Sequence, residues 1–278
     1  MTTIALARRG AWPALDRLPP WAWLALQAAA LWPHALWAAR RAADGSDDPL
    51  GLVALAVLAA AVARAAPRLL GTPRPGWLAA SLGLTAAATA AWFALPPLAG
   101  ALLAALAFGS ALAAWLPSHA PRAPLAGLVL LALPVIASLQ FYAGWPLRVL
   151  TAELSTWALR AAGFVAERSG AAMTVDGRLV IVDAPCSGVQ LAWCAYFCAC
   201  VAGWWSARGD AIWLRRLPLV GVFVLAGNAL RNSLLVGGEA SGGLSEAAHQ
   251  AIGLGITAAV GAAVIAWTTR SEAHAHRR

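Results

Sequence analysis

Long apolar runs separated by short polar gaps dominate the chain and predict a polytopic helical membrane protein. An apolar run of about 20 residues can cross a hydrocarbon core about 30 Å thick as a helix. Runs close to that length occur at 21–39, 50–66, 77–95, 98–116, 125–143, 186–206, 213–235 and 250–269. The pattern therefore predicts an all-α membrane fold with about eight transmembrane helices.

The connection 144–185 departs from this pattern because it is too long for a turn and too polar to cross a membrane. Residues 147–167 have apolar positions at helical spacing, with arginines and glutamates between them. That pattern is typical of an amphipathic helix that lies on the membrane surface. We therefore expect an interfacial helix in the first half of this connection.

The second half of the connection carries a signal for a β-hairpin. Asp176 and Gly177 separate Val175 from the apolar residues 179–182. Asp-Gly between β-formers favours a tight turn, since a type I′ turn needs positive φ at both central positions. Proline cannot donate to a strand ladder, so the second strand is expected to stop at Pro185.

Charge composition and distribution then give an orientation. Only 12% of the residues are charged, against about a quarter in soluble domains. The net charge is +8, but most of the basic residues, all arginine, lie in gaps between apolar runs and form no stripe or patch beside aromatic residues, so a nucleic-acid partner is not expected. With a cytoplasmic N-terminus, 13 of the 20 arginines fall on the inner side of the predicted spans, as the positive-inside rule requires. Both termini are therefore expected in the cytoplasm.

Composition and topology together predict a location and a division of the chain. Lysine-free, alanine- and arginine-rich composition suggests a GC-rich bacterial genome, and hence the bacterial inner (cytoplasmic) membrane. We expect one integral membrane domain, 1–278, whose consecutive parts are five N-terminal helices, the extracytoplasmic connection, three further helices and a cytoplasmic tail: 1–143, 144–185, 186–269 and 270–278. The first part is rich in small residues that fit ordinary tight packing of helices.

Three residues with side chains suited to catalysis lie on the outer side of the membrane in this topology. Cys186 lies at the outer mouth of the sixth predicted span, Arg231 near the outer end of the seventh, and His249 at the outer start of the eighth. Because these spans alternate in direction, a thiol, a guanidinium and an imidazole are brought to one face. Such a set suits acyl transfer, in which a thiolate attacks a carbonyl and a fixed cation stabilises the oxyanion.

The cysteines have a structural alternative, because most buried cysteines are inert. That interpretation suits Cys194, Cys198 and Cys200, which lie within one apolar run. Their spacing lacks the second pair of ligands expected of a zinc site, so neither a metal nor another cofactor is predicted. Cys186 differs because a helix is expected to begin at Cys186 or Ser187, and the helix dipole would then favour the thiolate.

The surroundings of Arg231 and His249 favour a functional role over a packing role. Arg231 lies in an apolar run, where a charge is costly. Asn228 and Asn232 on the same helix make a polar cluster that an arginine extending to the interface would not need. His249 would then be the general base, and Ser187 and Gly188 would supply backbone donors beside Cys186.

Taken in order, these motifs resemble the exosortase/archaeosortase family of membrane cysteine transpeptidases. The matching residues are Pro185-Cys186-Ser187-Gly188, Asn228-x-x-Arg231-Asn232 and His249-x-x-x-Gly253 on successive predicted helices. The resemblance covers 175–255, including the hairpin, whereas the first five helices are similar only in number and hydrophobicity.

The resemblance implies an activity, partners and roles. Such enzymes recognise a C-terminal sorting tail on an exported protein, made of a short motif, a transmembrane helix and a basic end. The five helices of 1–143 would then be a scaffold for the helix of the substrate, although their small residues fit ordinary tight packing equally well. Cys186 would form a thioester with the protein, Arg231 would stabilise the oxyanion or thiolate, and His249 would act as acid and base. An unknown acceptor nucleophile would then release the product at the surface, in a process linked to exopolysaccharide.

A non-enzymatic function remains as an alternative. Gly253, Gly255 and Gly261 would let the last helix pack closely on a neighbour, as in a membrane subunit of a polysaccharide export or assembly complex. That interpretation predicts a dispensable Cys186.

Overall fold

Helices dominate the computed structural model, which describes residues 19–45, 47–207 and 209–270. The α-helices of these residues are α1 (Pro20–Ala30), α2 (Trp32–Ala43), α3 (Leu50–Ala65), α4 (Pro75–Ala94), α5 (Pro97–Trp115), α6 (Ala123–Leu131), α7 (Ile136–Ala161), α8 (Val189–Trp205), α9 (Asp210–Ala240) and α10 (Glu246–Thr269). Three strands, β1 (Ala166–Ser169), β2 (Ala172–Val175) and β3 (Arg178–Ile181), separate α7 from α8. Several predicted cytoplasmic positions lie outside the described residues: Arg8, Arg9, Arg17, Arg208 and the tail beyond Arg270.

Five helices among the described residues are long and apolar enough to cross a membrane. They are α3 with the short turn that follows it, α4, α5, α9 and α10. Helices α6 and α7 pass the same test only together, and they meet at an angle of 95°, so the number is six if this bent pair is one span. Helix α8 is apolar but has only 17 residues. The predicted number of eight spans is therefore not confirmed.

The first predicted span, 21–39, is two helices. Helix α1 ends at Ala30 and α2 begins at Trp32, with Leu31 between them. Pro33 explains the break, since proline lacks a backbone N–H and its ring clashes with the carbonyl four residues earlier. A proline is tolerated in the first turn of a new helix, so the chain starts α2 there.

The predicted bounds of the fifth span, 125–143, and of the interfacial helix, 147–167, were wrong. Helix α6 stops at Leu131, ahead of Pro134, and α7 then runs without a break from Ile136 to Ala161. The charged side chains of α7 that suggested a wet face, such as Arg148, Glu153 and Arg160, are half-buried or exposed, whereas the uncharged polar residues Thr151, Ser155 and Thr156 are buried. Its aromatic side chains Phe141, Tyr142, Trp145 and Trp157 are exposed instead. Helix α7 thus buries uncharged polar residues while its aromatic residues are exposed.

The predicted hairpin is confirmed and is part of a three-stranded antiparallel sheet in the order β1-β2-β3. Val175 pairs with Arg178 across the turn, and both central residues, Asp176 and Gly177, have positive φ (47° and 79°). Strand β1 was not predicted, because its first two residues, Ala166 and Glu167, were included in the interfacial helix. Met173 and Val175 of the sheet pack in one apolar cluster with Leu159 of α7 and Val236 of α9.

The chain divides into two compact units. One comprises Met1–Leu36 and Val62–Ser118, in which α4 and α5 pack against each other and the Ser81 hydroxyl donates to the Ala107 carbonyl (3.0 Å). The other comprises Trp37–Ala61 and His119–Arg278. Every predicted site residue belongs to the second unit.

A buried arginine ties α9 to the C-terminal end of α10. The Arg216 guanidinium donates to the carbonyls of Trp267 (3.1 Å), Thr268 (2.7 Å) and Arg270 (2.8 Å). The last carbonyls of a helix have no partner within it, so the guanidinium satisfies them. With 31 residues, α9 is about 46 Å long and extends from this basic end to the sheet.

Asp47 supplies the missing cap of α7. The N-cap residue of α7, Val135, offers no side-chain acceptor. Asp47, in the loop between α2 and α3, accepts instead from the backbone N–H of Ala137 through Oδ1 (3.1 Å) and faces Arg41 through Oδ2 (3.5 Å). A carboxylate at a helix N-terminus also interacts favourably with the helix dipole, so Asp47 stabilises the restart of the chain after Pro134.

We predict that Asp47→Ala lowers the free energy of unfolding by about 1–3 kcal/mol, because the partly buried N–H of Ala137 loses its acceptor and α7 loses its cap. Asp47→Asn, which keeps an acceptor oxygen, is expected to cost less. Thermal unfolding of the detergent-solubilised protein measures both. Equal unfolding temperatures for Asp47→Ala and the unmodified chain would show that α7 does not need this cap.

Candidate active site

Cys186 ends a short 3-10 helix, Ala184–Cys186, and α8 begins three residues later at Val189. The prediction that the long helix begins at Cys186 or Ser187 was therefore wrong. Ser187 and Gly188 lie between the two helices, and Gly188 has a φ of +87°, which side-chain-bearing residues rarely adopt. This turn separates the thiol from the first turn of α8, so the helix-dipole argument for a thiolate does not apply.

Two amides from α9 hold the backbone at Cys186. Asn228 Nδ2 donates to the Cys186 carbonyl (2.9 Å), and Asn232 Nδ2 donates to the same oxygen (3.3 Å). Asn228 Nδ2 also donates to Thr151 Oγ1 on α7 (2.9 Å). Asn228 is only 2% exposed, and hydrogen bonds in such surroundings are costly to break. The segment around Cys186 is thereby bound to α9 and, through Asn228, to α7.

Gln140 of α7 holds the same segment from another side. Its Nε2 donates to the Ala184 carbonyl (2.9 Å), and its Oε1 accepts from the Ser187 hydroxyl (2.9 Å). The backbone N–H of Val189 donates in turn to Ser187 Oγ (3.3 Å). Ser187 therefore caps the start of α8 and links it to Gln140. Pro185 is the central residue of the 3-10 helix between these contacts.

Gly188 is required for a second reason besides its φ. A Cβ built at this position would lie 2.9 Å from both Cγ and Nδ2 of Asn228, closer than such atoms approach. A side chain there would push the amide away from the Cys186 carbonyl. The glycine in the Pro-Cys-Ser-Gly motif thus makes room for the asparagine of the second motif.

Arg231 lies between Cys186 and α10. Its Nε is buried and has no hydrogen-bond partner among the described residues. A Cβ built at Gly253 would lie 3.5 Å from Nε and 3.6 Å from Nη2 of Arg231, so the absence of a side chain at Gly253 leaves the guanidinium its place. The charge of Arg231 acts on the Cys186 thiol. The structure thus brings Cys186, Arg231 and Gly253 together.

His249 lies in the first turn of α10 and is half-buried. It precedes Gly253 by four residues, and residues at this spacing share a helix face. Its ring is therefore on the side of α10 that meets Arg231, one turn nearer the helix start. Over the described part of the chain, no hydrogen bond joins the ring to Cys186 or Arg231, so its role as a base stays a prediction.

Burial sets the resting state of the thiol. It raises the pKa of Cys186 above its ordinary value, the positive charge of Arg231 opposes this rise, and the negative charge of Asp183 adds to it. An unperturbed cysteine has a pKa of about 8.5, so this thiol is protonated at neutral pH. A reaction at Cys186 therefore needs a base, and Arg231 favours the thiolate once the proton is removed.

The remaining cysteines lie among packed helices. Cys194, Cys198 and Cys200 all belong to α8 and are free thiols. Cys200 is buried with its sulfur against Gly127, where a Cβ would come within 2.6 Å, and Cys198 lies near Gly261. These contacts agree with a packing role for the three residues.

Sequence reasoning missed the contribution of α7. Gln140 and Thr151 are separated by 11 residues, about three helical turns, and therefore lie on one face. That signal was hidden because the two residues had been placed in different predicted elements. Asp183, which acts on the thiol, was overlooked because it was treated as the end of the hairpin.

Comparison with known families agrees with this arrangement. The family model for transmembrane exosortases matches residues 37–267. The chain belongs to the transmembrane exosortase family. The match extends well beyond the motif region and includes helices α3 to α9 in full, so membership of the family does not depend on the short motifs alone. No curated protein and no solved structure matches the chain.

We predict that Gly188→Ala weakens the hold on Cys186. The new methyl group must adopt an unfavourable φ and must displace Asn228, at a cost of about 1–3 kcal/mol. Hydrogen exchange measured by mass spectrometry is expected to show faster exchange in 184–190. Gly255→Ala is the matched control, since a Cβ at Gly255 meets nothing within 4 Å. Equal exchange in the two variants would contradict the role given to Gly188.

We also predict the pH dependence of Cys186 alkylation by iodoacetamide. Because the pKa is raised and only the thiolate reacts, the rate should rise about tenfold per pH unit from pH 6 to 8 without a plateau. At pH 8, Asp183→Asn should increase the rate and Arg231→Gln should decrease it, each roughly twofold or more for partly screened charges. Peptide mass spectrometry identifies adducts at Cys186, and a rate independent of pH below 8 would show that the resting group is a thiolate.

Proposed function

We propose that this protein is a membrane-embedded cysteine transpeptidase that cleaves the C-terminal sorting tail of exported proteins and transfers them to an acceptor. One observation carries the proposal: Cys186 lies within the electrostatic reach of Arg231, a half-buried arginine whose buried Nε has no partner among the described residues. A guanidinium with free donors beside a thiol is suited to an oxyanion that exists only during reaction. Membership of the exosortase family supports the same chemistry.

The first half of the reaction forms a thioester. His249 takes the proton of the Cys186 thiol, and the thiolate sulfur attacks the carbonyl carbon of the peptide bond that precedes the tail. Arg231 donates to the oxyanion of the tetrahedral intermediate. The C–N bond then breaks, the imidazolium of His249 returns a proton to the leaving amine, and the tail departs with its new amino terminus.

The second half transfers the exported protein. An acceptor nucleophile loses its proton to His249 and attacks the thioester carbonyl, again with Arg231 at the oxyanion. The C–S bond breaks, the sulfur recovers the proton from His249, and the product is released. Water in place of the acceptor gives hydrolysis through the same steps.

Charge distribution supports a location for this chemistry. Arg215, Arg216 and Arg270 lie at one end of the α9–α10 pair, and Cys186 and Arg231 lie towards the other. By the positive-inside rule, the basic end faces the cytoplasm. The site then faces the extracytoplasmic side of the bacterial inner membrane, where exported proteins arrive. The N-terminal helices within 1–143 are proposed to hold the helix of the sorting tail.

We predict that Cys186→Ala abolishes tail removal while the protein still inserts in the membrane. His249→Ala should slow the reaction by about 10²–10⁴-fold, and Arg231→Gln by about 10²–10³-fold. Proteomes of cells with equal expression of each variant are compared for C-terminal peptides of exported single-span proteins. Cys194→Ala, a cysteine of α8 away from Arg231, is the matched control and should process tails normally.

A second measurement tests the covalent intermediate. Hydroxylamine attacks thioesters, so a hydroxamate should appear at the new C-terminus of processed proteins, and only when Cys186 is present. If tails are removed equally in Cys186→Ala cells, the protease proposal fails. A defect in polymer export without any change of tails would instead favour the non-enzymatic subunit.

A further inference from the structure

Strand β3 is an edge strand of the sheet, and among the described residues no strand pairs with the edge that faces away from β2. This edge is called the open edge below. The hydrogen bond from the Val182 N–H to the Ala171 carbonyl (3.0 Å) fixes the phase of the β2–β3 ladder, because bonded and non-bonded pairs alternate in antiparallel sheets. Arg178 and Val180 therefore bond to β2, whereas the backbone N–H and C=O groups of Leu179 and Ile181 point away from it.

The opposite edge of the sheet is protected. Arg160 of α7 donates through Nε to the Ala166 carbonyl of β1 (2.6 Å). Arg168 of the same strand is paired with Glu153 and donates to the Gly170 carbonyl (2.9 Å). Native proteins usually blunt edge strands with charges and coverings of this kind. The contrast indicates that the β3 edge is left open for a partner.

Apolar side chains accompany the open edge. Leu179 and Ile181 are 68% and 59% exposed, and their spacing of two places them on one face of the strand. Strand β3 has one charged residue, Arg178, whose guanidinium is turned to the Glu239 carbonyl of α9 (3.2 Å). The rest of the strand has no charge or proline, and an exposed apolar edge of this kind normally promotes pairing with another chain. An added strand would satisfy the free backbone groups and cover these two side chains.

The edge leads directly to the nucleophile. Val182 is buried and continues the ladder, Asp183 follows, and the 3-10 helix then ends at Cys186. After Gly188 the chain enters the apolar helix α8. An extended segment followed by an apolar helix is also the order of motif and helix in the proposed sorting tail.

We infer that the extended segment of an exported protein immediately before its transmembrane helix adds to the sheet as a strand beside β3. This inference rests on the proposed function. Parallel pairing is the direction that suits the site, because a segment that runs alongside β3 reaches Cys186 as it approaches its own helix. The bond to be cleaved then follows the paired residues.

This mode of binding defines the class of segment that is recognised. Main-chain hydrogen bonds to Leu179 and Ile181 supply affinity for any extended peptide, and side chains at alternate positions supply specificity. The face that lies beside Leu179 and Ile181 should carry apolar residues. A proline in the segment is tolerated where its nitrogen points away from β3.

A photo-crosslinking experiment tests the pairing. p-Benzoylphenylalanine is placed at Leu179 in Cys186→Ala cells, in which tails stay uncut, and at Glu167 of β1 as the control for the protected edge. After irradiation, mass spectrometry identifies the captured peptide. Adducts from position 179, but not from 167, should lie in the few residues before the transmembrane helix of exported proteins.

A backbone variant measures the contribution of the edge to catalysis. Ile181→Pro removes an outward N–H of β3, and Arg168→Pro removes the matching outward N–H of β1. Loss of one hydrogen bond and the added bulk should slow tail removal by Ile181→Pro about tenfold, mainly through KM. Arg168→Pro should change it less than twofold. Cys186 alkylation at the unmodified rate shows that both variants fold.

The outcomes separate this inference from the proposed function. Adducts between two copies of the chain, equal capture at both positions, or normal processing by Ile181→Pro overturn strand addition, while Cys186-dependent tail removal leaves the transpeptidase standing. If no tail depends on Cys186, both proposals fail, whatever position 179 captures.

Discussion

The carbonyl group of Cys186 is the point on which the site depends. Two buried amides from α9 hold this one oxygen, and one of them also bonds Thr151 of α7. Because the backbone is bound through its oxygen, the thiol itself stays free of these contacts. The two asparagines therefore act on geometry, and Arg231 from the same helix acts on charge. A single helix thus supplies both the support of the nucleophile and the cation beside it.

The convergence of Cys186 and Arg231 could be predicted from sequence, because alternating helices bring motifs at corresponding ends together. The hairpin could also be predicted, since Asp176-Gly177 has specific turn chemistry. The contacts of Gln140 and Thr151 could not, because they depend on where a helix restarts. Pro134 and Pro146 are both prolines in apolar surroundings, and only the first interrupts a helix. The packing of α7, which a local pattern does not contain, decides between them.

Hydropathy alone also could not decide the number of spans. An apolar segment can face lipid or can be buried by protein, and both have the same composition. In α8, Leu191, Trp193, Ala195 and Ala199 are all buried, which accounts for much of its apolar character. The bend of 95° between α6 and α7 likewise joins two short apolar segments in a way that a sliding window cannot detect.

The two contacts between α9 and α10 have matching intervals. Arg216 reaches Thr268 at one end and Arg231 meets Gly253 at the other, and each pair of positions is 15 residues apart on its own helix. The Arg216–Thr268 contact therefore lies about 22 Å from the Arg231–Gly253 contact along both helices. The length of the two helices between these contacts sets the position of Arg231 in the candidate active site. If one residue were inserted between the two contact positions of either helix, one contact residue of that helix would rotate by about 100° and shift by about 1.5 Å relative to the other. The length of these stretches is thus constrained independently of their side chains.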